Sequence, residues 1–261
     1  MEVIIQPSEA AAATLTAKIV AHDLRANPRL VLGLATGRTM ESVYRELVRR
    51  HKEEQLDFSR CATFNLDEYV GLPASDPHSY HHYMREHLFS RVNIDLLRTH
   101  LPDGAASDLD AECRHYEGLI QEAGGIDLQL LGIGRAGHIG FNEPLSALRS
   151  RTRVKALTPT TREQNATSFP SNSEVPRRAI TMGVGTILDC RRCVLLATGE
   201  GKAEIIAKAV EGPITSMISA TALQLHSRCT VIVDEAGAGG LKEKDYYRWI
   251  FANEPEWEGF R

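Results

Sequence analysis

The sequence predicts an α/β fold: a Rossmann-like, doubly wound, mostly parallel sheet with helices on both faces. One observation is that short apolar, β-branched runs recur along the chain, as expected of strands that are covered on both faces. Another is that helical patterns separate these runs, so that strand, loop and helix alternate about six times. The predicted strands are residues 3–5, 30–34, 62–66, 126–131, 194–197 and 230–233.

The helical patterns are amphipathic. The first begins at Ser8, a residue type that favours helix starts, and places Ala12, Leu15, Ile19 and Leu24 near one face. Residues 158–178 form the least regular stretch, with prolines among Ser, Asn and Thr, and are expected to be a mobile lid. The predicted helices are residues 8–24, 40–52, 79–92, 108–123, 202–210 and 216–225.

Composition and charge narrow the class of protein. With 261 residues, 43% hydrophobic and 25% charged, the chain suits a globular enzyme, and a single domain over residues 1–261 is expected. The net charge of −4 gives no basic field for nucleic acid or anionic lipid. The longest apolar runs are far shorter than the roughly 20 residues that span a bilayer. Without a membrane segment or a secretion signal, a cytoplasmic protein is expected.

The cysteines and histidines give no strong metal signal. Five cysteines, an odd number, favour reduced thiols. Cys190-Arg-Arg-Cys193 has the spacing of a zinc or redox pair, but a lone pair supplies only half of a tetrahedral site and leads straight into an apolar strand. His78 and His82 lie at i, i+4 without a third ligand at metal spacing. We therefore expect no metal.

Two segments have the pattern of an anion site. At residues 32–39, Leu-Gly-Leu-Ala-Thr-Gly-Arg-Thr, a strand leads through a Gly/Thr loop into a helix, whose free N–H groups and dipole would attract an anion. Thr36 and Thr39 would add hydroxyl donors; the alternative is an ordinary turn in which Thr39 caps the helix. No Gly-Lys-Ser/Thr closes the loop, so it is not a Walker A motif. Lys202 follows a strand and a Gly turn, where it would hold an anion or, alternatively, be solvated.

A pair of acids follows the third predicted strand, in Phe-Asn-Leu-Asp-Glu-Tyr-Val-Gly at residues 64–71. A carboxylate at the end of a strand, inside a cleft, is partly desolvated, which raises its basicity. Such a group is suited to removing a proton next to a carbonyl. Asp67 is therefore a candidate general base, and the alternative is a solvated acid in a loop.

The segment Gly-Ile-Gly-Arg-Ala-Gly-His-Ile-Gly-Phe-Asn-Glu-Pro, residues 132–144, begins with the spacing of a dinucleotide-binding loop. Such a loop must lead directly into a helix and be followed by an acid about 20 residues later. Here Gly140 and Pro144 interrupt any helix, and no acid lies between Pro144 and Arg162. The segment instead supplies His138 and Glu143, an imidazole and a carboxylate that can orient it as an acid–base pair. The alternative is a hydrogen-bonded loop histidine.

Five motifs together resemble the glucosamine-6-phosphate deaminase/isomerase family along nearly the whole chain. They are GLATGRT, NLDEYVGL, GIGRAGHIGFNEP, AITMGVGTILD and AVEGPITSMISATALQLH. The resemblance implies a Rossmann-like α/β fold. It also implies the conversion of glucosamine 6-phosphate, a small amino-sugar phosphate, to fructose 6-phosphate and ammonia, without a redox cofactor or metal.

The resemblance also implies residue roles. Asp67 matches the base that moves a proton between C2 and C1 of the open-chain sugar, and His138 matches the histidine that opens the pyranose ring with help from the glutamate matching Glu143. The phosphate would be held by the residues matching Thr36, Gly37, Arg38, Thr39 and Lys202.

Two departures from the family pattern stand out. Ala136 replaces an Asp or Asn that tunes the histidine in many relatives, and Thr167 replaces a phosphate-binding arginine whose bidentate contact Thr cannot make. Arg38 stands where relatives usually have a small residue, and we hypothesise that it restores the lost charge. Either departure would also fit a different substrate, such as galactosamine 6-phosphate.

Some relatives are hexamers that N-acetylglucosamine 6-phosphate activates through residues resembling Ser146, Arg153 and Lys155. All three are present in this chain, but Ala156 replaces a partner threonine, which argues against this allosteric activation. A homo-oligomer, a hexamer or smaller, stays open.

Three other functions compete with the deaminase. A 6-phosphogluconolactonase shares the fold and a related Gly-His loop, but GFNEP and NLDEYVGL favour the deaminase. A sugar-phosphate sensor of a transcriptional regulator would carry a helix-turn-helix, for which the strand predicted at residues 3–5 leaves no room. A descendant that binds the sugar phosphate without turning it over stays open.

Overall fold

The structure, a computed structural model, describes residues 1–170 and 174–261. Its centre is a seven-stranded parallel sheet in the order β1-β10-β9-β6-β2-β3-β5, and a three-stranded antiparallel sheet, β4-β8-β7, lies beside it. The strands are β1 (Glu2–Gln6), β2 (Val31–Leu34), β3 (Ala62–Asn65), β4 (Asp67–Tyr69), β5 (Thr99–His100), β6 (Leu128–Leu131), β7 (Arg153–Ala156), β8 (Arg178–Thr181), β9 (Arg192–Ala197) and β10 (Cys229–Asp234).

The predicted strands are all present in the parallel sheet, with ends that differ by at most two residues. Every residue of β2, β6, β9 and β10 is buried, which is why these strands are continuous apolar runs rather than alternating ones. Mostly β-branched and leucine side chains on both faces of the sheet form the main core together with the inner faces of the helices.

Some of the helices begin at side-chain caps that the sequence provides. Ser8, Ser79 and Asp108 each accept a hydrogen bond from the backbone N–H three residues later. The helices are α1 (Glu9–Ala26), α2 (Arg38–Glu54), α3 (Tyr80–His87), α4 (Leu109–Glu122), α5 (Pro159–Asn165), α6 (Val184–Leu188), α7 (Ala203–Glu211) and α8 (Lys244–Asn253).

The doubly wound prediction is confirmed by the strand order. From β1 the chain moves to β2, β3 and β5 in one direction, and it then returns past β2 to β6, β9 and β10 in the other. Because crossovers between parallel strands are right-handed, this reversal places α1 and α2 on one face and α4 and α7 on the other. The reversal falls between β2 and β6, and ligands of such sheets bind outside the carboxyl ends of the strands at this point.

The antiparallel sheet was not predicted. In it, Asp67 of β4 pairs with Thr181 of β8, and Arg153 of β7 pairs with Thr181 from the other side. A single residue, Leu66, separates the end of β3 from the start of β4, so the chain passes from the central sheet directly into the smaller one. The smaller sheet therefore holds Asp67 in a fixed position at the carboxyl edge of the larger one.

Two helix predictions were wrong in part, and the segment predicted as irregular contains a short helix. The segment 79–92 ends its α-helix at His87 and continues as a 3₁₀ turn, and only the part of 216–225 from Ser219 onward is helical, again as a 3₁₀ turn. The irregular segment 158–178 contains α5, whose first turn Thr158 caps, followed by a 3₁₀ turn at Ala166–Ser168. Residues 171–173 of the predicted lid lie outside the described residues, and its mobility stays a prediction. No helix in the described part of the chain is long and apolar enough to cross a membrane.

Candidate active site

A cavity of about 260 Å³ opens at the carboxyl edge of the sheet, at the reversal between β2 and β6. Four adjacent strands, β9, β6, β2 and β3, each send a loop to it. The structure brings together nearly all the site residues that the sequence predicts. The cavity is lined by Thr36, Gly37, Arg38, Thr39, Asp67, His138 and Lys202, with Glu143 placed behind His138.

Asp67 is a buried acid, with 6% of its surface exposed, and its side chain lines the cavity. No hydrogen-bond donor of residues 1–170 or 174–261 reaches its carboxylate. Burial, and in second place the charge of Glu68, raises the pKa of Asp67 to about 8. The alternative of a solvated loop acid is therefore wrong.

Gly140 explains how the carboxylate of Asp67 stays accessible. Its φ of +54° lies in the left-handed region, and a Cβ there would lie 2.9 Å from the Thr181 hydroxyl and 3.5 Å from Oδ2 of Asp67. A side chain at residue 140 would thus be strained, would approach the Thr181 hydroxyl too closely and would contact the acid. The glycine that excluded a dinucleotide loop in the sequence therefore keeps the backbone of this loop close to Asp67.

Glu68, the second acid of the pair, differs from Asp67 because hydrogen-bond donors surround its carboxylate. It is fully buried, and its Oε1 accepts hydrogen bonds from the N–H groups of Tyr69 at 2.8 Å and Tyr80 at 3.0 Å. Its Oε2 accepts from the N–H of His81 at 3.0 Å and lies 2.9 Å from Nδ1 of the same residue. Glu68 therefore binds the first turn of α3, where a negative charge also matches the helix dipole.

The loop of residues 132–140 folds tightly around His138. The N–H of Gly134 donates to the His138 carbonyl at 2.9 Å, and a Cβ on Gly134 would come within 2.1 Å of Nε2 of the ring. The imidazole therefore packs directly on the backbone of Gly134. The glycines that resemble a nucleotide-binding pattern serve here to seat a histidine, and no helix follows them before residue 159.

His138 and Glu143 form the predicted pair. Nδ1 of His138 lies 3.4 Å from Oε2 of Glu143, and neither atom has a closer partner in the described part of the chain. Oε1 of Glu143 accepts from the N–H of Thr158 at 3.1 Å and from its hydroxyl at 3.2 Å. Burial alone would raise the pKa of Glu143, but the hydrogen bonds of His138, Thr161 and Thr158 outweigh it and lower the pKa to about 2. Glu143 is thus a permanent anion that orients the imidazole.

The predicted anion cradle lies at the start of α2. Gly37 occupies the N-cap position, so Arg38 and Thr39 belong to the first turn, whose N–H groups have no carbonyl partner within the helix. The alternative in which Thr39 caps this helix is wrong. Lys202 immediately precedes α7, and its ammonium donates to the Ile133 carbonyl at 2.6 Å. Burial, with a smaller contribution from Arg135, lowers the pKa of Lys202, so this lysine is not a solvated one.

Sequence reasoning missed three polar residues of the cavity: Tyr80, Gln164 and Asn165. The hydroxyl of Tyr80 donates to that of Tyr69 at 3.2 Å, and the amide of Asn165 donates to the same oxygen at 2.9 Å. Tyr80 starts α3, and Gln164 and Asn165 end α5. The sequence around them has no pattern that distinguishes them from residues at other helix termini. Thr167 is exposed and does not line the cavity, whereas Arg38 does.

Two of the three predicted allosteric residues are in contact. Arg153 donates to the Ser146 hydroxyl at 3.1 Å and to the Asn142 side-chain oxygen at 2.8 Å. Lys155 lies two residues further along β7, on the same face as Arg153. Asn142 belongs to the loop that carries Glu143, so this group touches the active-site loop without lining the cavity. Its allosteric role stays a prediction.

One group of three metal-ligand side chains exists among the described residues, and it lies outside the cavity. It consists of Cys190, Cys193 and His226, whose ligand atoms lie within 4.8 Å of one another. The sequence offered the two cysteines but gave no signal for His226, which is 33 residues further along the chain. His78 is not part of a metal cluster; its Nδ1 lies 3.0 Å from the Ser168 carbonyl.

Comparison with known proteins agrees with this fold. Residues 6–232 match the family model of glucosamine-6-phosphate isomerases and 6-phosphogluconolactonases, and the chain belongs to this family. It is 49% identical to the glucosamine-6-phosphate deaminase of Arthrobacter sp. strain FB24 over 259 residues, which cover 99% of this chain and 100% of that protein. The deaminase of Streptomyces coelicolor is 48% identical over 260 residues, with the same coverage.

Solved structures place the fold in the same family. A monomeric glucosamine-6-phosphate deaminase superposes with a TM-score of 0.90 at 46% identity, over 92% of this chain and 100% of that one. The 6-phosphogluconolactonase of Trypanosoma cruzi superposes with a TM-score of 0.75 at 20% identity, over 92% of this chain and 97% of that one. The second likeness concerns the fold alone. The family that the sequence motifs indicated is confirmed.

Proposed function

We propose that this chain converts glucosamine 6-phosphate to fructose 6-phosphate and ammonia. The observation that carries the proposal is the placement of an unpaired, buried Asp67 in one cavity with an anion cradle and a His138–Glu143 pair. The similarity to glucosamine-6-phosphate deaminases over the whole length of the chain supports it. A lactonase needs no base aimed at a sugar C2, so the same geometry favours the deaminase.

The phosphate binds at the start of α2 in this proposal. The N–H groups of Arg38 and Thr39, the Thr36 hydroxyl, the Arg38 guanidinium and the Lys202 ammonium surround it. Because the phosphate is fixed at C6, the other end of the sugar extends towards Asp67 and His138. This positioning lowers the entropic part of the barrier for each proton transfer.

His138 opens the pyranose ring. Its Nδ1–H faces Glu143, so the lone pair on Nε2 is free to accept the proton of the C1 hydroxyl and to deliver a proton to the ring oxygen. The anionic Glu143 stabilises the imidazolium that forms in between. Ring opening gives an aldehyde at C1, which acidifies the C–H bond at C2.

Asp67 then moves the proton from C2 to C1. Burial favours the protonated form of Asp67, and the ammonium group at C2 of the substrate favours the carboxylate when it binds nearby. Removal of the C2 proton, with transfer of one ammonium proton to the C1 oxygen, gives an enolamine, and return of the first proton at C1 gives an imine at C2. Water attacks the imine, the C–N bond breaks, and fructose 6-phosphate and ammonia leave. None of these steps uses a cofactor.

Two further properties complete the proposal. We place the reaction in the cytoplasm, where the five buried, free thiols stay reduced. A homo-oligomer, a hexamer or smaller, stays a prediction, and the solved deaminase described above is monomeric. Light scattering of the purified chain measures its oligomeric state.

Ammonia release from three compounds tests the proposal. We expect ammonia from glucosamine 6-phosphate, much less from galactosamine 6-phosphate, and none from unphosphorylated glucosamine at the same concentration. A preference for galactosamine 6-phosphate would change the substrate and keep the reaction. Acid production from 6-phosphogluconolactone without ammonia from any amino sugar would overturn the proposal in favour of a lactonase, and binding without either product would indicate a sensor.

A further inference from the structure

A buried group of thiols lies at the amino edge of the parallel sheet, at the opposite end of β9 from the active site. Cys193 is the second residue of β9 and Cys190 lies two residues before the strand, and their sulfur atoms are 3.2 Å apart. His226 follows the 3₁₀ turn Ser219–Leu225, and its Nε2 lies 3.6 Å from the Cys190 sulfur. The proposed deamination uses none of these residues.

The hydrogen bonds of His226 argue against a metal ion in this group. The N–H of Arg228 can only donate, and it lies 3.0 Å from Nδ1 of His226, so Nδ1 must provide the lone pair. The neutral ring therefore carries its proton on Nε2, which donates to the Cys190 carbonyl at 2.8 Å. A protonated nitrogen cannot bind a metal. Nε2 faces the Cys190 sulfur as a hydrogen-bond donor instead.

The same contacts make the two thiols unequal. As a thiol, Cys190 donates to the Arg192 carbonyl at 3.2 Å. As a thiolate, it accepts hydrogen bonds from the Cys193 thiol and from His226, and these lower the pKa of Cys190 below the usual value of a thiol. The pKa of Cys193 is raised, because its proton serves that bond and because it is buried. Cys190 is the nucleophile of the pair.

Cys190 is also the thiol that a small molecule can reach. It lines a surface cavity of about 360 Å³ together with Gly124, Gly125 and Asp189. Cys193 does not line this cavity and is fully buried behind Cys190. An oxidant the size of water therefore meets Cys190 first, with a second thiol directly behind it.

We infer that Cys190 and Cys193 form a peroxide-reactive dithiol that closes to an intramolecular disulfide. The Cys190 thiolate attacks hydrogen peroxide, forming an S–O bond and breaking the O–O bond, and hydroxide leaves. The Cys193 sulfur then attacks the Cys190 sulfenic acid. The S–S bond forms, the S–O bond breaks, and the departing hydroxide takes the Cys193 proton as water. Two thiols supply the two electrons that reduce one peroxide to two waters.

Peptide mass spectrometry after peroxide treatment of the intact protein at pH 7 tests this inference. Remaining thiols are blocked with N-ethylmaleimide, and trypsin cuts after Arg191 and Arg192, so only a disulfide keeps the peptides of Cys190 and Cys193 together. We expect this linked pair to form at least about tenfold faster than any oxidation of the other three cysteines. Cys61, Cys113 and Cys229 serve as internal controls, because burial raises the pKa of each of them.

Variants separate the roles within the pair. Cys193→Ser should leave a sulfenic acid on Cys190 that dimedone traps, Cys190→Ser should abolish the fast reaction, and His226→Asn should slow it. Cys61→Ser, the matched control, should leave the rate unchanged.

Reaction of the pair no faster than that of the other cysteines would overturn the inference. A disulfide between Cys193 and Cys229, which are neighbours across β9 and β10, or one equivalent of bound Zn²⁺ in the purified protein would overturn it as well. If Cys190→Ser fails to fold, the oxidation rates of the cysteines in the wild-type protein, with Cys61, Cys113 and Cys229 as internal controls, still test the inference.

Discussion

The two sides of the active-site cavity shift the pKa of a buried carboxylate in opposite directions. Asp67, on the side of the small sheet, is 6% exposed and receives no hydrogen bond from the described residues. Glu143, on the side of the histidine loop, is 3% exposed, accepts hydrogen bonds from Thr158 and lies 3.4 Å from Nδ1 of His138. The pKa of Asp67 is raised to about 8, whereas that of Glu143 is lowered to about 2. The groups that favour the anion of Glu143 outweigh the effect of its burial on the pKa, whereas Asp67 has no such partner among the described residues.

This difference assigns the two roles. A carboxylate that gains and loses a proton near neutral pH can act as a base towards carbon, and one that stays ionised can only stabilise a cation beside it. The fold creates the difference with backbone, because β4 begins at the cavity with Asp67, which receives no hydrogen bond from the described residues, while the N–H group of Thr158 before α5 donates to Glu143. Breaking either arrangement should therefore affect a different step of the reaction.

The largest effect is expected from Asp67→Asn. The amide keeps the shape of the side chain but cannot accept a proton, so kcat should fall at least about 10³-fold while the binding of glucosamine 6-phosphate stays within a few-fold. Exchange of the C2 proton with solvent, followed by NMR in D₂O, measures the step directly. Asp245→Asn is the matched control, because Asp245 is fully exposed on α8. Retained C2 exchange in Asp67→Asn would show that another group is the base.

The next effect is expected from Glu143→Gln. Its side-chain oxygen can still accept from Thr158, but its NH₂ group would face Nδ1 of His138 and donate to it, which moves the ring proton to Nε2. We expect kcat to fall about 10²-fold through slower ring opening.

The open-chain substrate distinguishes this effect from a general loss of structure. C2 exchange measured once the ring has opened should be affected less than overall turnover. Glu204→Gln, on the exposed face of α7, is the control and should behave as the wild type. An equal loss in both steps would contradict a role confined to His138.

The pH dependence of the protein's stability tests the raised pKa of Asp67. Folding raises the pKa of Asp67 from 3.8 to about 8, so the folded chain holds a proton that the unfolded chain has released between these values. Stability at this site therefore falls as the pH rises, by at most about 1.4 kcal/mol per pH unit. Asp67→Asn removes this loss, and its melting temperature should exceed that of the wild type by several degrees at pH 8. The difference should vanish near pH 4, and a pH-independent difference would contradict the raised pKa.

The sequence predicted the large sheet and missed the small one for a physical reason. The strands of the central sheet are buried on both faces, so each is a local apolar run that is visible without knowledge of its partners. The strands β4, β7 and β8 have three or four residues each and carry charges such as Glu68, Arg153 and Lys155. The pairing of β4 with β8 joins residues that are far apart in the sequence, such as Asp67 and Thr181, and no local pattern contains that information.

The active-site residues that the sequence predicted lie in segments that follow a predicted strand. Asp67, His138 and the loop at residues 36–39 follow predicted strands, and the carboxyl ends of parallel strands meet at one edge. Asn165 and Tyr80 reach the cavity through the packing of α5 and α3, and His226 reaches the two cysteines from a distant turn. These contacts depend on tertiary packing rather than on spacing along the chain.

The smallest effect is expected from Arg38→Ala, at the end of the cavity opposite the chemistry. Thr167 is exposed outside the cavity, and Arg38 lies inside its wall, as expected if Arg38 contributes the charge that an arginine supplies in relatives. Because Arg38 is also exposed, water screens its charge, and we expect only a several-fold increase of KM, about 1 kcal/mol, with little change in kcat. Arg45→Ala on the exposed face of the same helix is the control. Unchanged KM in Arg38→Ala would mean that the N–H groups of α2 and the Lys202 ammonium hold the phosphate without it.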